Sequence, residues 1–132
     1  MRIRPLAAIL VAPALLTACV RNSAKSAGAR NTAVLEVRNE YQASVDVYAV
    51  RQGAPVNFRI GQVFPNRTER FRLDQSLIGG GLTVAFAAVP ASLQGSPSAP
   101  RATTGGFTLR PGDVVRFRVS SDLRSSAASL DY

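Results

Sequence analysis

Short segments in which apolar and polar residues alternate are the feature that most constrains the fold of this chain. From residue 33 onward, apolar side chains recur at every second position, the period of a β-strand with one face in a core and the other in water. No helical segment of ten or more residues follows the N-terminal region, so parallel βαβ units are not expected. The alternating segments centre on Leu35 and Val37, on Val45, Val47 and Ala49, on Phe58 and Ile60, on Phe71 and Leu73, and on Val115, Phe117 and Val119.

Two further segments complete the set of predicted strands. Residues 82–89 are apolar at both parities, as expected for a strand near the middle of a sheet whose second face is partly covered. Residues 102–109 supply another strand, in which Gly105 and Gly106 indicate a bulge or a change of direction. About seven strands at regular spacing predict one all-β domain, an antiparallel β-sandwich of immunoglobulin-like or transthyretin-like type.

The connections between these strands are rich in turn-forming residues. Residues 74–81 are expected to form one helical turn that Asp74 caps and glycine ends. The longest connection, residues 90–103, contains three prolines. Long loops often carry binding function, but this one has only Gln94 and Arg101 as distinctive polar groups and is expected to be a plain flexible hairpin loop. The tight turns are predicted at residues 39–43, 52–55, 65–67 and 111–113.

The N-terminal region has a different pattern from the rest of the chain. Arg2 and Arg4 precede an apolar run over residues 6–16, which Pro13 interrupts. A helix needs about 20 apolar residues to cross a bilayer, so this run is too short for a permanent span. A basic start, a short apolar stretch and small residues at its end are typical of a secretory signal.

The apolar run ends at Leu16-Thr17-Ala18-Cys19, which contains the one cysteine of the chain. This segment resembles the lipobox of bacterial lipoproteins, in which a leucine, two small residues and a cysteine direct lipid transfer and cleavage. The resemblance implies a thioether-linked diacylglycerol on Cys19, further acylation with palmitate and a membrane anchor without a spanning helix. In the pattern of Gram-negative lipoproteins, an aspartate after the cysteine favours retention at the inner membrane. The resemblance therefore implies, from Val20 at this position, the outer membrane.

The predicted organisation of the chain has four parts. Residues 1–18 are the signal peptide, and residues 19–32 are the lipidated cysteine with a flexible tether. Residues 33–121 are the β-sandwich domain, and residues 122–132 are a Ser- and Ala-rich flexible tail. The runs Val45–Val50, Gly61–Val63, Phe71–Leu73 and Leu82–Val84 are similar to small uncharacterised β-sandwich domains of bacterial surface lipoproteins.

The residue inventory argues against several kinds of site. The chain has no histidine and one cysteine, so it lacks the usual base of a Ser or Cys nucleophile, an internal disulfide and a Cys/His metal site. The eight acidic residues are scattered over turns and water-facing positions. An enzyme, a bound metal and a cofactor are therefore not expected.

The formal net charge of +8 comes from 15 arginines and one lysine against those eight acids. Arg70, Arg72, Arg116 and Arg118 point away from the core on their strands and are the candidate anion-binding residues. Export of the chain argues against nucleic acid as the partner.

The sequence predicts a non-enzymatic, lipid-anchored envelope protein with an interaction or structural module. The alternative is an arginine-rich module that binds an anionic envelope glycan or lipid. Partners are the membrane, through Cys19, and an envelope protein or anionic glycan; the oligomeric state stays open.

Overall fold

The structure is a computed structural model that describes residues 31–54 and 56–132. The predicted signal peptide, Cys19 and nearly all of the tether lie outside the described residues. Within those residues, no helix has the length and apolar character needed to cross a membrane.

Nine strands and one short 3-10 helix, Ala91–Leu93, make up the regular structure of this part of the chain. Their alternating sequences favour strands because successive side chains of a strand point to opposite faces, so the apolar ones face the core and the polar ones face the solvent. The strands are β1 (Ala33–Asn39), β2 (Val45–Arg51), β3 (Phe58–Val63), β4 (Thr68–Leu73), β5 (Thr83–Pro90), β6 (Ala102–Thr103), β7 (Phe107–Thr108), β8 (Val114–Val119) and β9 (Ala127–Asp131).

The strands form two sheets that pack face to face. A four-stranded sheet has the order β4-β1-β8-β9, and a five-stranded sheet has the order β3-β2-β5-β6, with β7 also paired to β5. Strands β1 and β8 run parallel, whereas every other pair recorded in the two sheets is antiparallel. The prediction of a purely antiparallel fold is therefore wrong for this one pair. All strands of the five-stranded sheet lie between β1 and β8 in the sequence. Because no tight hairpin joins β1 to β8, the connection does not force them to run antiparallel.

The core lies between the two sheets and is built from the predicted apolar positions. The inward-facing residues of the central strands are fully buried or nearly so, and they form one cluster. The prediction of an all-β domain is confirmed, as is the position of residues 82–89 in the middle of a sheet. The central strands contribute Ala33, Leu35 and Val37 (β1), Val45, Val47 and Ala49 (β2), Val84, Phe86 and Ala88 (β5), and Val115, Phe117 and Val119 (β8).

The predicted strand over residues 102–109 is interrupted in its middle. Residues 104–106 separate β6 from β7, which confirms the irregularity that the two glycines indicate. At the break, the Thr104 backbone N–H donates to the Phe86 carbonyl at 2.9 Å, and the Thr104 hydroxyl accepts from the Phe86 N–H at 2.9 Å. A Cβ at Gly106 would lie 2.3 Å from the Thr83 Cγ2, so glycine leaves room for the two strands to approach.

The predicted flexible tail over residues 122–132 is wrong for most of its length. Ala127–Asp131 forms β9, which pairs with β8 along five residues and turns Ala128 and Leu130 toward the core. The preceding turn is held by Asp122, whose carboxylate accepts hydrogen bonds from the Ser120 hydroxyl at 2.5 Å and from the Ser125 N–H at 3.0 Å. The Ser120 bond first, and then the Ser125 bonds, hold the pKa of Asp122 well below its usual range.

The segment over residues 74–81 contains turns and bends and no helix, but one hydrogen-bonded turn forms at its start, where the Leu77 N–H donates to the Asp74 carbonyl at 3.1 Å. Asp74 does cap the segment, because its Oδ1 accepts a hydrogen bond from the Ser76 N–H at 3.0 Å. Gly79, Gly80 and Gly81 then adopt φ values of +94°, +64° and +70°. These left-handed values follow the turn and prevent a right-handed helix from continuing, and glycine tolerates them without strain.

Candidate functional site

The four candidate arginines all lie on the outer face of the four-stranded sheet. Strands β4 and β8 are distant in sequence, but both pair with β1, so their outward side chains share one surface. The register places Arg70 and Arg116 on either side of Glu36, and Arg118 beside Arg38. We call this surface the arginine face and define it by Arg38, Arg70, Arg72, Arg116, Arg118, Glu36, Glu40 and Asp131.

Acidic residues partly neutralise the arginine face. The Glu36 carboxylate forms two salt bridges, one with Arg70 Nε at 3.5 Å and one with Arg116 Nε at 3.9 Å. Arg116 also reaches Asp131 at 3.1 Å, and Glu40 lies 3.1 Å from Arg38 and 3.8 Å from Arg118. Five arginines against three carboxylates leave a net charge of +2. Each exposed pair contributes about 0–1 kcal/mol to stability, so anions in solution can compete for these arginines.

The shape of the arginine face is open. A shallow depression of about 370 Å³ lies over β1, β8 and β9, between Arg38, Arg116, Arg118 and Ser129. Arg72 stands at the edge of the sheet on β4 and forms no salt bridge within the described ranges. The face therefore offers charge spread over a broad surface rather than an enclosed site.

A second site, which the sequence analysis did not identify, lies on the outer face of the five-stranded sheet. Asp46 on β2 was expected to face water, yet its side chain is only 1% exposed. Its carboxylate accepts hydrogen bonds from Arg59 Nη2 at 2.6 Å and Arg59 Nε at 3.2 Å, and from the Gln94 side-chain amide. A buried carboxylate is tolerated because its charge is paired and hydrogen-bonded in this way.

The Asp46 contacts attach the long loop after β5 to the sheet. Gln94 belongs to this loop, and the Ala91 N–H adds a hydrogen bond to the Ser44 carbonyl at 2.9 Å. The expectation of a plain flexible loop is therefore wrong for its first half. Sequence reasoning could not find the contact because Asp46 and Gln94 are 48 residues apart. The one available signal was an acidic residue inside an otherwise apolar strand.

A pocket of about 150 Å³ opens between this loop and the sheet, next to Asp46. We call it the Tyr48 pocket. Its floor comes from the outward side chains of β2 and β5, and its rim comes from the loop and from the segment before β3. The floor is Tyr48, Ala87 and Val89, and the rim includes Asn57, Gln94 and Arg101.

The described residues contain no group of three or more His, Cys, Asp or Glu side chains that could hold a metal ion. Most of the carboxylates instead make local contacts. Asp113, for example, accepts a hydrogen bond from the Arg110 N–H at 2.8 Å, and this contact closes the turn before β8. The observed arrangement is thus two surfaces, one broad and basic, the other small and partly enclosed.

No protein-family model matches this chain, and no curated protein matches it either. Among solved structures, the chain is similar to the NMR structure of a protein from Eubacterium rectale, with a TM-score of 0.45 and 10% sequence identity. That similarity covers 76% of this chain and 89% of the other one.

Proposed function

We propose that this chain is a lipid-anchored, non-catalytic protein of the bacterial cell envelope, in which the β-domain acts as an interaction or structural module. The observation that carries the proposal is the position of the chain's one cysteine. Cys19 ends a short apolar segment with a basic start, within Leu16-Thr17-Ala18-Cys19. After removal of residues 1–18, the lipid on Cys19 holds the domain at the membrane, with the outer membrane as the proposed location.

The distribution of charge supports a position close to an anionic surface. Residues 31–132 contain eleven arginines and all eight acidic residues, so this part of the chain has a net charge of +3. The tether adds Arg21, Lys25 and Arg30 within 13 residues. Each cation near an anionic leaflet contributes about 1 kcal/mol, and the tether as a random coil spans roughly 20 Å. The anchor and the tether therefore keep the domain near the membrane.

The engagement of the carboxylates supports a module that binds rather than catalyses. Asp46 is held by Arg59 and Gln94, and Glu36 lies between two arginines of the arginine face. Asp122 is held by two serines in the turn before β9. Carboxylates committed to such contacts stabilise the fold, whereas general acid–base chemistry needs groups free to reach a substrate.

The order of the strands supports the transthyretin-like type of sandwich as our proposed subtype. In the immunoglobulin constant arrangement, the first two strands lie in the same sheet. Here β1 belongs to the four-stranded sheet and β2 to the five-stranded sheet. This difference disfavours the immunoglobulin-like alternative.

Metabolic labelling with palmitate tests the anchor. We expect the wild-type chain to incorporate label and the Cys19→Ser variant to lose it completely, because the serine hydroxyl cannot form the thioether. The variant should also keep its signal segment, visible as a larger mass. Ser23→Ala in the tether is the matched control and should label as the wild type does. Labelling unchanged by Cys19→Ser, or a cytosolic protein that retains Met1, would refute the proposal.

The arginine face favours a second candidate function, the electrostatic binding of an anionic lipid or glycan surface. Its arginines outnumber its carboxylates on one exposed sheet face. Charges of this kind act within about 8 Å at physiological ionic strength, so the function requires direct contact.

Vesicle co-sedimentation with phosphatidylglycerol tests this candidate. We expect binding to weaken several-fold between low and physiological salt, because exposed ion pairs are screened. The paired substitutions Arg70→Gln with Arg72→Gln, or Arg116→Gln with Arg118→Gln, should weaken it similarly. Arg67→Gln with Arg110→Gln, in the turns before β4 and β8, removes the same two charges outside the arginine face and should have a smaller effect. Binding independent of salt would exclude the arginine face as an electrostatic site.

A further inference from the structure

We propose that the Tyr48 pocket binds a single sugar ring that carries a carboxylate, such as a uronic acid residue of an acidic envelope polysaccharide. This inference deepens the proposed interaction function and rests on it, because it names a ligand class for the module. It assigns that ligand to the five-stranded sheet, on the opposite side of the domain from the arginine face.

The size and the floor of the pocket suit one six-membered ring. A cavity of about 150 Å³ is large enough for a ring the size of benzene, and this pocket has that volume. Ala87 and Val89 are small side chains at the outward parity of β5, so they leave the aromatic ring of Tyr48 accessible beside them. An apolar floor of this kind contacts the C–H face of a sugar. Residues 82–89 are apolar on the outward face of the sheet as well as on the inward face, which is unusual. Contact with the sugar ring gives a reason for these outward apolar side chains.

The rim of the pocket offers the polar groups that hydroxyls require. Asn57 and Gln94 have amide groups that both donate and accept, and Ser96 adds a hydroxyl. The amide nitrogen of Gln94 is committed to Asp46, so its oxygen remains to accept a bond from a ligand hydroxyl. A fatty acid or another apolar carboxylate would leave these groups without partners, which is costly on binding.

The charges around the pocket favour an anion. Arg59 is neutralised by Asp46, with which it forms a salt bridge at 2.6 Å. Arg101 forms no salt bridge in the part of the chain that the structure describes, and its Nη2 donates a hydrogen bond to the Pro97 carbonyl at 3.3 Å. One guanidinium is thus left with most of its donors available at the rim. A planar guanidinium binds a carboxylate with two parallel hydrogen bonds.

The pocket is also held in shape before any ligand binds. The Gln94 contact with buried Asp46 and the Ala91–Ser44 hydrogen bond fix the loop that forms one wall. Binding then requires little ordering of the loop, which lowers the entropic cost of association.

Isothermal titration of the full chain with a galacturonic acid trimer tests the proposal, with a neutral galactose trimer as the matched ligand. We expect the acidic trimer to bind about tenfold more tightly than the neutral one, as a charge-assisted pair supplies the difference. Arg101→Gln should abolish that preference, and Arg101→Lys should restore part of it. The neutral trimer should bind to Arg101→Gln as it binds to the wild type, whereas a loss of folding would abolish the binding of both trimers.

Arg67→Gln is the control for net charge and should leave both affinities unchanged. The proposal is overturned if the acidic trimer does not bind, if Arg101→Gln keeps the preference, or if Arg116→Gln with Arg118→Gln removes it instead. The last outcome would assign the anion to the arginine face. None of these results bears on lipidation of Cys19, so failure of this inference and failure of the proposed anchor are distinguishable.

Discussion

Replacing Phe86 with alanine should lower the free energy of unfolding by about 3–5 kcal/mol, because a large buried ring is lost and a cavity remains. Phe86 lies in the middle of β5 and is 0% exposed. Its ring centroid is 6.4 Å from that of Phe107, at an interplanar angle of 31°. A domain of this size has about 5–15 kcal/mol of total stability, so the variant should lose at least a fifth of it.

Urea denaturation followed by circular dichroism measures this effect. Phe64→Ala is the matched control, because Phe64 is 58% exposed directly after β3 and the variant should lose less than about 1 kcal/mol. A loss below about 1 kcal/mol for Phe86→Ala would contradict its position in the shared core of the two sheets.

Replacing Asn39 with aspartate should cost about 3–5 kcal/mol at neutral pH, the range for an uncompensated buried charge. Asn39 is 0% exposed at the end of β1. Its amide nitrogen donates to the carbonyls of Ala43 at 2.9 Å and Val63 at 3.0 Å, and its oxygen accepts from the Tyr41 N–H at 2.9 Å. Since Val63 belongs to β3, this side chain links the two sheets. A carboxylate would lose both donor bonds and face two carbonyl oxygens.

The effect of Asn39→Asp should depend on pH in a defined direction. Burial beside carbonyl oxygens raises the pKa of the introduced carboxyl above its unfolded value. The penalty is therefore full at neutral pH and diminishes as the pH falls through the raised folded-state pKa, where the protonated group can again donate. Asn66→Asp, at an exposed turn position with φ of +56°, should show neither the loss nor the pH dependence. A pH-independent loss at Asn39 would show that a charge is not the cause.

The local pattern of the chain determined most of the segments that become strands and which of their side chains face the core. Leu35 and Val37, or Val115 and Phe117, are buried as their alternation predicts. This succeeds because strand periodicity depends on neighbouring residues only, and an amphipathic strand has one stable orientation against a core. The outward direction of the four candidate arginines follows from the same rule. The local pattern did not show that the four arginines share one face, because that depends on β4 and β8 both pairing with β1.

Strand β9 shows how the tertiary structure decides a segment with a weak local signal. Ala127–Asp131 is rich in small residues and has low intrinsic strand preference. It becomes a strand because the edge of β8 offers unpaired backbone groups and Leu130 can reach the core. The segment over residues 74–81 is the opposite case, because its signals are local. Asp74 caps it, and its three consecutive glycines adopt left-handed conformations.

The second candidate site was decided by contacts between segments that are far apart in sequence. Gln94 reaches Asp46 across 48 residues, and the parallel pairing of β1 with β8 joins opposite ends of the domain. The amino-acid sequence by itself determined the strands with a strong alternating pattern and their inward faces, and it placed the one cysteine directly after an apolar run. The tertiary structure alone decided the strand order, the burial of Asp46 and the pocket over Tyr48. The physical reason is that backbone periodicity is a local property, whereas pairing and loop attachment depend on which distant groups the packed core brings within hydrogen-bonding distance.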